Sequence, residues 1–299
     1  MGPTASGKSA LALAVAERIG GEIVNADSMQ VYRDFRVLTA RPTVEEEASA
    51  AHHLYGHVDA AERYSTGRWL TDALAAIADI RARNKTPVLV GGTGLYFKAL
   101  TQGLAEMPSI DPELRTALTE RIATMGAPAL HAELARLDPQ TAARLEPNDA
   151  PRIIRALEVI ETTGESITSF QANTQPALAA NEWRGLALTP DRDALYAAIN
   201  ARFDKMLEQG ALEEVRAFAA RKLDPTLPAT KAHGAPALSA HLRGEMSLQA
   251  ATEIGQRDTR RYAKRQFTWI ANQMPDWPRI SAPGLPERVE MTLDVLSQG

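Results

Sequence analysis

The residues Gly2-Pro3-Thr4-Ala5-Ser6-Gly7-Lys8-Ser9 carry the pattern G-x-x-x-x-G-K-[ST] of a phosphate-binding loop. Glycines let the backbone curl until successive N–H groups face one phosphate, and a helix starting directly after adds its positive end. The Lys8 ammonium would reach the terminal phosphate as a point charge, and the Ser9 hydroxyl would ligate Mg²⁺. The pattern implies a polyphosphate substrate. It leaves open which one, and whether a phosphoryl group or a diphosphate departs.

A second charged feature lies near the other end. Arg257, Arg260, Arg261, Lys264 and Arg265 crowd nine residues of a long helical pattern, and at helical spacing Arg257, Arg261, Lys264 and Arg265 share one stripe. Only Asp258 offers local compensation, so the stripe reads as an anion-binding face. His52, His53 and His57 cluster too, but they lack carboxylates at ligand spacing and read as ordinary histidines rather than a metal site.

These features sit in a chain of 299 residues with net charge −4, so any nucleic-acid site must be a local basic patch on an acidic body. Hydrophobic content of 44% and charged content of 23% are ordinary for a soluble domain. The absence of cysteine excludes disulfides and thiolate metal sites and suits a reducing compartment. The apolar run after Lys8 imitates a signal peptide and Met1-Gly2 imitates an acylation signal, but the loop accounts for both. No run approaches transmembrane length. The expectation is a cytoplasmic protein that makes no membrane contact.

The elements that must position the loop follow from periodicity. Leu11, Val15 and Ile19 make one helix face, stopped by Gly20-Gly21. Residues 22–26 read as a buried strand leading to Asp27, and 87–90 as another leading to the glycine turn at 91–94. An amphipathic helix from 68 to 83 joins them, and this alternation means a parallel sheet. The stretch from 32 to 64 gives no clear pattern. Between 108 and 180 only helical patterns occur, and Asn148-Asp149 before Pro151 marks a helix start. Residues 183–188 then read as a strand, and the helix after Asp191 carries Leu195, Ile199, Phe203 and Met206 on one face. The fold expected is α/β: a P-loop NTPase-like parallel sheet flanked by helices (1–107 and 181–299), with a helical insertion domain at 108–180. A buried strand normally precedes such a loop, yet here the chain begins at the loop itself. Losing a central strand is costly, so a truncated start is the expectation.

Taken together, the blocks at 2–9, Ala26-Asp27-Ser28-Met29-Gln30-Val31-Tyr32-Arg33, Gly91-Gly92-Thr93-Gly94-Leu95-Tyr96, 152–159 and Tyr262-Ala263-Lys264-Arg265-Gln266-Phe267-Thr268-Trp269 resemble, in order, those of the tRNA dimethylallyltransferase (IPP transferase) family. The resemblance implies transfer of a dimethylallyl group from dimethylallyl diphosphate to N6 of the adenosine 3′ of the anticodon, releasing diphosphate. It makes Asp27 the general base, with Lys8, Thr4 and Arg202 completing the catalytic set, Gly2 to Ser9 holding the diphosphate, and Mg²⁺ on Ser9. Ser28, Met29 and Gln30 would line the pocket for an adenosine flipped out of its stack, and Thr93 would contact the acceptor. Arg115, Pro151, Arg152, Ile153, Ile154 and Arg155 of the insertion, with Lys231, His233, Gly234 and the stripe, would meet the tRNA anticodon stem-loop. A monomer is expected.

Two stretches depart from the family pattern. Asp34-Phe35-Arg36-Val37-Leu38-Thr39-Ala40-Arg41-Pro42 replaces a Gly-Leu-Asp-Ile-Gly-Thr-Ala-Lys-Pro stretch, and Ala235-Pro236 replaces an aromatic residue that follows a glycine. Three other readings compete: a small-molecule kinase, which would share residues 1–30 but not need the basic stripe; a prenyltransferase acting on a free adenine nucleotide, which would need neither stripe nor insertion; and a nucleotide-binding module without activity.

Overall fold

The computed structural model describes residues 1–107, 109–172 and 174–297. The chain divides into two compact units, Met1–Ala99 with Ala180–Gly299, and Leu100–Ala179. The expected insertion began at 108; the helical unit begins eight residues earlier, and Pro108 itself lies outside the described residues.

In the first unit the chain runs α1 (Lys8–Ile19), β1 (Gly21–Asn25), α2 (Val44–Ser49), β2 (His52–His53), α3 (Thr66–Ala82), β3 (Thr86–Val90) and α4 (Gly94–Thr101). The strands pair in parallel in the order β2-β1-β3, with Ile23 opposite Val88 and Asn25 opposite Val90. The helices form where the apolar spacing put them. Leu11, Ala12, Val15 and Ala16 turn one face of α1 inward, and Gly20 ends it in the left-handed region with its N–H on the Ala16 carbonyl. Ser65 caps α3 by accepting from the Arg68 N–H, and Trp69, Ala73, Ile77 and Ile80 are its buried stripe. The Trp69 indole N–H donates to the Asn25 carbonyl at 2.8 Å while its ring stacks on Tyr96 at 4.0 Å. One side chain thus ties α3 to the end of β1 and to α4.

The helical unit contains α5 (Pro112–Met125), α6 (Ala127–Leu137), α7 (Pro139–Ala142), α8 (Ala150–Thr163) and α9 (Ile167–Ala172). Leu118, Leu130, Leu134, Ile153 and Leu157 are fully buried in its core. Glu158, 1% exposed, accepts from Arg115 at 2.6 and 2.9 Å and from Arg155 at 3.0 Å. The two arginines expected on tRNA phosphates therefore hold a buried carboxylate of their own unit.

The chain returns to the first unit through β4 (Ala187–Leu188), α10 (Arg192–Glu208), α11 (Ala211–Ala220), α12 (Ala235–Leu242), α13 (Leu248–Gln273), β5 (Arg279–Ile280) and α14 (Leu285–Ser297). The strand expected at 183–188 is only two residues long. The approach to it is spent on packing Trp183 against Trp277, with ring centres 5.6 Å apart. β4 and β5 pair in parallel as a separate sheet. Met1 and Gly2 occupy the slot between the two sheets: the Gly2 N–H donates to Gly91 O at 3.2 Å, and Met1 O accepts from the Leu188 N–H at 2.9 Å. These two residues make the ladder contacts of a strand entering the loop.

The unpatterned stretch from 32 to 64 is held from outside. The Glu214 carboxylate on α11 accepts from the backbone N–H groups of Arg36, Val37 and Leu38 at 2.8–3.0 Å, and Gln30 donates to the carbonyls of Thr39 and Ala40. Its loops follow side chains distant in sequence, so no local period could reveal them. The histidines are local struts: His53 pairs with Glu22 at 2.7 Å, and His57 lies 3.7 Å from Asp72.

Burial works against the charge on Glu158, but Arg115 and Arg155 outweigh it and hold the carboxyl below its ordinary value. The folded form thus gains stability that is complete above the unfolded glutamate pKa and is lost as pH falls through the lower folded value. Glu158→Gln should lower the stability of the helical unit by about 1–3 kcal/mol at pH 7, at or below the usual cost of breaking a buried pair because both arginines can rehydrate. Denaturant titrations at neutral and acid pH should give a difference between variant and wild type that shrinks as pH drops.

Candidate functional site

Two residues shape the phosphate loop. Ala5 and Gly7 take positive φ of 62° and 81°, which turns consecutive N–H groups toward the concave side, and α1 starts immediately after. At Gly7 a Cβ would be strained by that φ and would come within 2.9 Å of the Arg288 guanidinium. Arg288, on α14, donates to the Ser6 carbonyl at 2.7 Å and so braces the loop from behind. Lys8 bends back over the loop, its Nζ donating to the Pro3 carbonyl at 3.3 Å.

The end of β1 presents Asp27 beside this loop. Asn25, fully buried, accepts from the Asp27 N–H at 2.8 Å and donates to the carbonyls of Asp27 and Leu54. One carboxylate oxygen of Asp27 accepts from the Met29 N–H at 2.9 Å, which fixes the side chain as an Asx turn and leaves its other oxygen for chemistry. Ser28 is tied to Thr93, whose hydroxyl accepts from the Ser28 N–H at 2.9 Å. The two strand ends carrying Asp27 and Thr93 are thereby cross-linked.

The last long helix closes the site. Thr259, Ala263, Gln266 and Ile270 form the buried stripe of α13, and Gln266 uses both ends of its amide. Its Oε1 accepts from the Thr4 N–H at 2.8 Å, and its Nε2 donates to the Gly92 carbonyl at 2.9 Å. Sequence reasoning assigned Gln266 no role, although a polar residue among apolar core positions was a visible signal. α10 supplies Arg202, which donates to the Thr4 hydroxyl and leaves its Nε buried without a partner. An orphaned donor of that kind at a phosphate loop is what an anionic ligand would satisfy.

Beside these groups opens a pocket with two characters. Thr4, Asp27, Arg202, His233 and Tyr262 give its lining polar groups, with Thr39 and Thr259, while Met29, Leu38, Ile199, Phe203 and Met206 give it apolar ones. The charges interact at close range. Burial pushes the Lys8 ammonium down to about 8, Asp27 opposing and Arg202 reinforcing the shift. Burial also lowers His233, with Arg265 adding to the effect, so its imidazole is neutral at pH 7. Tyr262 and Tyr96 are driven up by burial and then by the Asp27 charge, and both remain O–H donors.

The other expected site residues divide. Arg257, Arg261, Lys264 and Arg265 lie together on the exposed face of α13, with Arg257 and Arg261 3.5 and 3.6 Å from Asp258 and Arg265 over the Tyr262 ring. Arg260 turns inward to Asn200 instead. Lys231 is exposed, and Gly234 precedes α12, whose Ala235-Pro236 start puts a proline in the first helical turn. The family aromatic is thus replaced by a helix initiator. In the helical unit Pro151 and Arg152 are exposed, Ile154 is half-buried, and the Ile153 side chain is in the core. Ser9 is exposed at the start of α1. Among the described residues no three His, Asp or Glu side chains gather as a metal site. A Mg²⁺ ion that rides on diphosphate oxygens and water needs only one or two protein groups, so the Ser9 hydroxyl fits it.

Comparison with known proteins gives a consistent outcome. A family model described as IPP transferase matches residues 30–273, and one described as isopentenyl transferase matches 1–57. The chain is 56% identical to a tRNA dimethylallyltransferase of Nitrobacter hamburgensis, across 100% of this chain and 93% of that protein. It is 52% identical to one of Maricaulis maris, across 99% and 96%. A crystal structure of the full-length tRNA isopentenylpyrophosphate transferase from Bacillus halodurans aligns with a TM-score of 0.70 at 32% identity, over 99% of this chain and 95% of that one. A eukaryotic dimethylallyltransferase acting on tRNA aligns at 0.81 and 28% identity, over 99% and 78%.

Lys8 generates a pH prediction. The unfolded chain keeps this proton up to the ordinary lysine value, so the free protein gains stability as pH rises from about 8 toward that value. An anion in the loop needs the proton. Affinity for inorganic diphosphate should therefore fall by up to about tenfold per pH unit above about 8, relative to a Lys8→Arg variant that keeps its charge. Calorimetric titrations of both proteins from pH 7 to 9.5 would measure this; parallel curves would mean that Lys8 keeps its proton throughout.

Proposed function

This chain belongs to the IPP transferase family, and from that premise we propose how its residues carry out prenyl transfer to tRNA. The donor is dimethylallyl diphosphate, and the acceptor is N6 of the adenosine 3′ of the anticodon. The observation that carries the reading is the juxtaposition at one pocket of an anion cradle, a fixed carboxylate and an apolar cleft of side-chain width. A kinase needs the first of these but has no use for an apolar cleft beside its transferred group.

The loop N–H groups, Lys8 and Arg202 hold the diphosphate, and the five-carbon tail lies along Ile199, Phe203 and Met206. The adenine enters with its amino group toward Asp27. N6 attacks C1 of the tail, the C1–O bond breaks, its electron pair leaves with the diphosphate, and the N6 proton passes to the free Asp27 oxygen. Lys8 and Arg202 face the oxygens where negative charge grows, so they act more strongly on the transition state than on the bound donor. Magnesium bound through Ser9 would neutralise part of that same charge. Thr93, Ser28 and the neutral His233 offer polar contacts to the flipped base.

The α13 stripe supplies the electrostatic hold on the tRNA backbone, and Arg152 offers a further phosphate contact from the helical unit. Arg115 and Arg155 reach RNA only with the part of their guanidinium groups that Glu158 leaves open. A free nucleotide would need neither feature. The chain acts as a monomer in the cytoplasm, a reading supported by a catalytic set drawn from one compact unit and by a sequence without cysteine.

Incubation with labelled dimethylallyl diphosphate, Mg²⁺ and unmodified tRNA should place label in adenosine; label confined to a free nucleotide would assign the acceptor elsewhere. Asp27→Ala should cut turnover by about 10²–10⁴-fold while diphosphate binding stays close to wild type. An equal loss of both would make Asp27 a binding residue. Replacing Arg261 and Arg265 together should weaken tRNA binding and flatten the slope of log K against log salt by about 0.7–0.9 per lost contact. An unaltered slope in a stable double variant would take α13 out of the interface.

A further inference from the structure

We infer that Phe203 sets the length of the prenyl chain this enzyme accepts, an assignment that rests on the donor reading above. Phe203 is 4% exposed and lies one residue after Arg202, so the helix that delivers a guanidinium to the leaving group also delivers the ring to the apolar cleft. Ile199, Phe203 and Met206 follow at i, i+4 and i+7 along that face of α10. A tail anchored at Thr4 and Arg202 by its diphosphate therefore runs toward the ring.

The ring has no room to retreat. A Cβ at Gly255, in the middle of the 26-residue α13, would stand 2.3 Å from the ring Cζ and 2.6 Å from Cε2. A Cβ at Gly234 would meet the same edge at 2.8–2.9 Å, with Leu38 on its other side at 3.4 Å. Glycine inside a long helix is unfavourable, and Gly234 sits at a φ of 91°. Both positions are occupied by glycine where the backbone must come against the far edge of Phe203. The ring is thus clamped between two backbones and the cleft, as a fixed wall that cannot swing aside for a longer chain. Thr259, in the same wall, donates its hydroxyl proton back to the Gly255 carbonyl at 2.7 Å and so has no donor to offer the cleft.

The wall predicts opposite effects from two substitutions. Phe203→Ala empties the ring's volume and should admit geranyl diphosphate, whose transfer breaks and forms the same bonds: C1–O breaks, N6–C1 forms, the proton goes to Asp27 and diphosphate leaves. Gly255→Ala pushes the ring into the cleft and should raise the KM for dimethylallyl diphosphate. A single methylene in an apolar pocket is worth about 10–200-fold in discrimination, so the ratio of kcat/KM for geranyl over dimethylallyl diphosphate should rise at least about tenfold in Phe203→Ala. It should rise less in Phe203→Leu, which retains more of the core volume should the alanine variant fold poorly. Inorganic diphosphate should bind all three variants as it binds wild type, because the loop is intact; a general loss of structure would move that affinity too.

The full chain would be assayed with unmodified tRNA and each donor. Wild type that transfers dimethylallyl but not geranyl, with the ratio rising in both Phe203 variants, supports the assignment. Wild type that uses both donors alike, or a ratio unmoved in folded variants, overturns it and leaves prenyl transfer standing. Wild type that transfers from neither donor removes the donor reading and this inference with it.

Discussion

One buried amide holds the working parts together. Gln266 accepts from the loop at Thr4 and donates to the glycine turn at Gly92, so α13 sets the spacing between the glycine loop and the strand end that carries Thr93. The bond to Gly92 is buried, where an unpaired backbone C=O would cost about 1–3 kcal/mol, and the bond to Thr4 is partly buried at the pocket. The same helix carries the cationic stripe on its outer face. The exposed cationic face and the residue that aligns the loop are therefore parts of one helix, with Tyr262, Arg265 and Gln266 within four residues of one another.

Electrostatics inside the pocket rest on a small set of charges close enough to act on one another. Lys8 and Arg202 repel across the loop, Asp27 attracts both, and burial disfavours the ammonium and the guanidinium alike. A cradle under such internal repulsion would be relieved by an anionic ligand, which would set a negative charge between the two cations. The tyrosines around Asp27 answer its charge in the opposite sense by holding their protons more tightly.

The sequence made legible whatever depends on local spelling. The loop, its helix, the strands ending at Asp27 and at the 91–94 turn, and the start of α8 at Asn148-Asp149 all lie where motif and period put them. What escaped was set at long range. The stretch from 32 to 64 takes its shape from Glu214, nearly 180 residues away, and from Gln30. The strand before Leu188 gave way to tryptophan packing. Arg115 looked like a free cation because the carboxylate it pairs with, Glu158, is 43 residues away on α8; the i,i+3 pair of Arg155 with Glu158 lay in plain view on one helix face. Gln266 and Phe203 lay within recognised patterns, one inside a motif and one on a helix face. Only their partners across the fold, Thr4 and Gly92 for the first and Gly234 and Gly255 for the second, assign them work.

The hold of Glu214 on residues 36–38 is made entirely through main-chain N–H groups. Those donors exist whatever side chains the residues carry, proline excepted. That hold is indifferent to the side chains at 36–38, whereas the flanking Asp34, paired with Arg221, and Phe35, packed on Phe218, anchor the same turn through theirs. Leu38 stands in that segment with its N–H on Glu214 and its side chain lining the pocket. Backbone atoms thus set the course of the chain at 36–38, while the side chain of Leu38 alone decides what that course presents to the pocket.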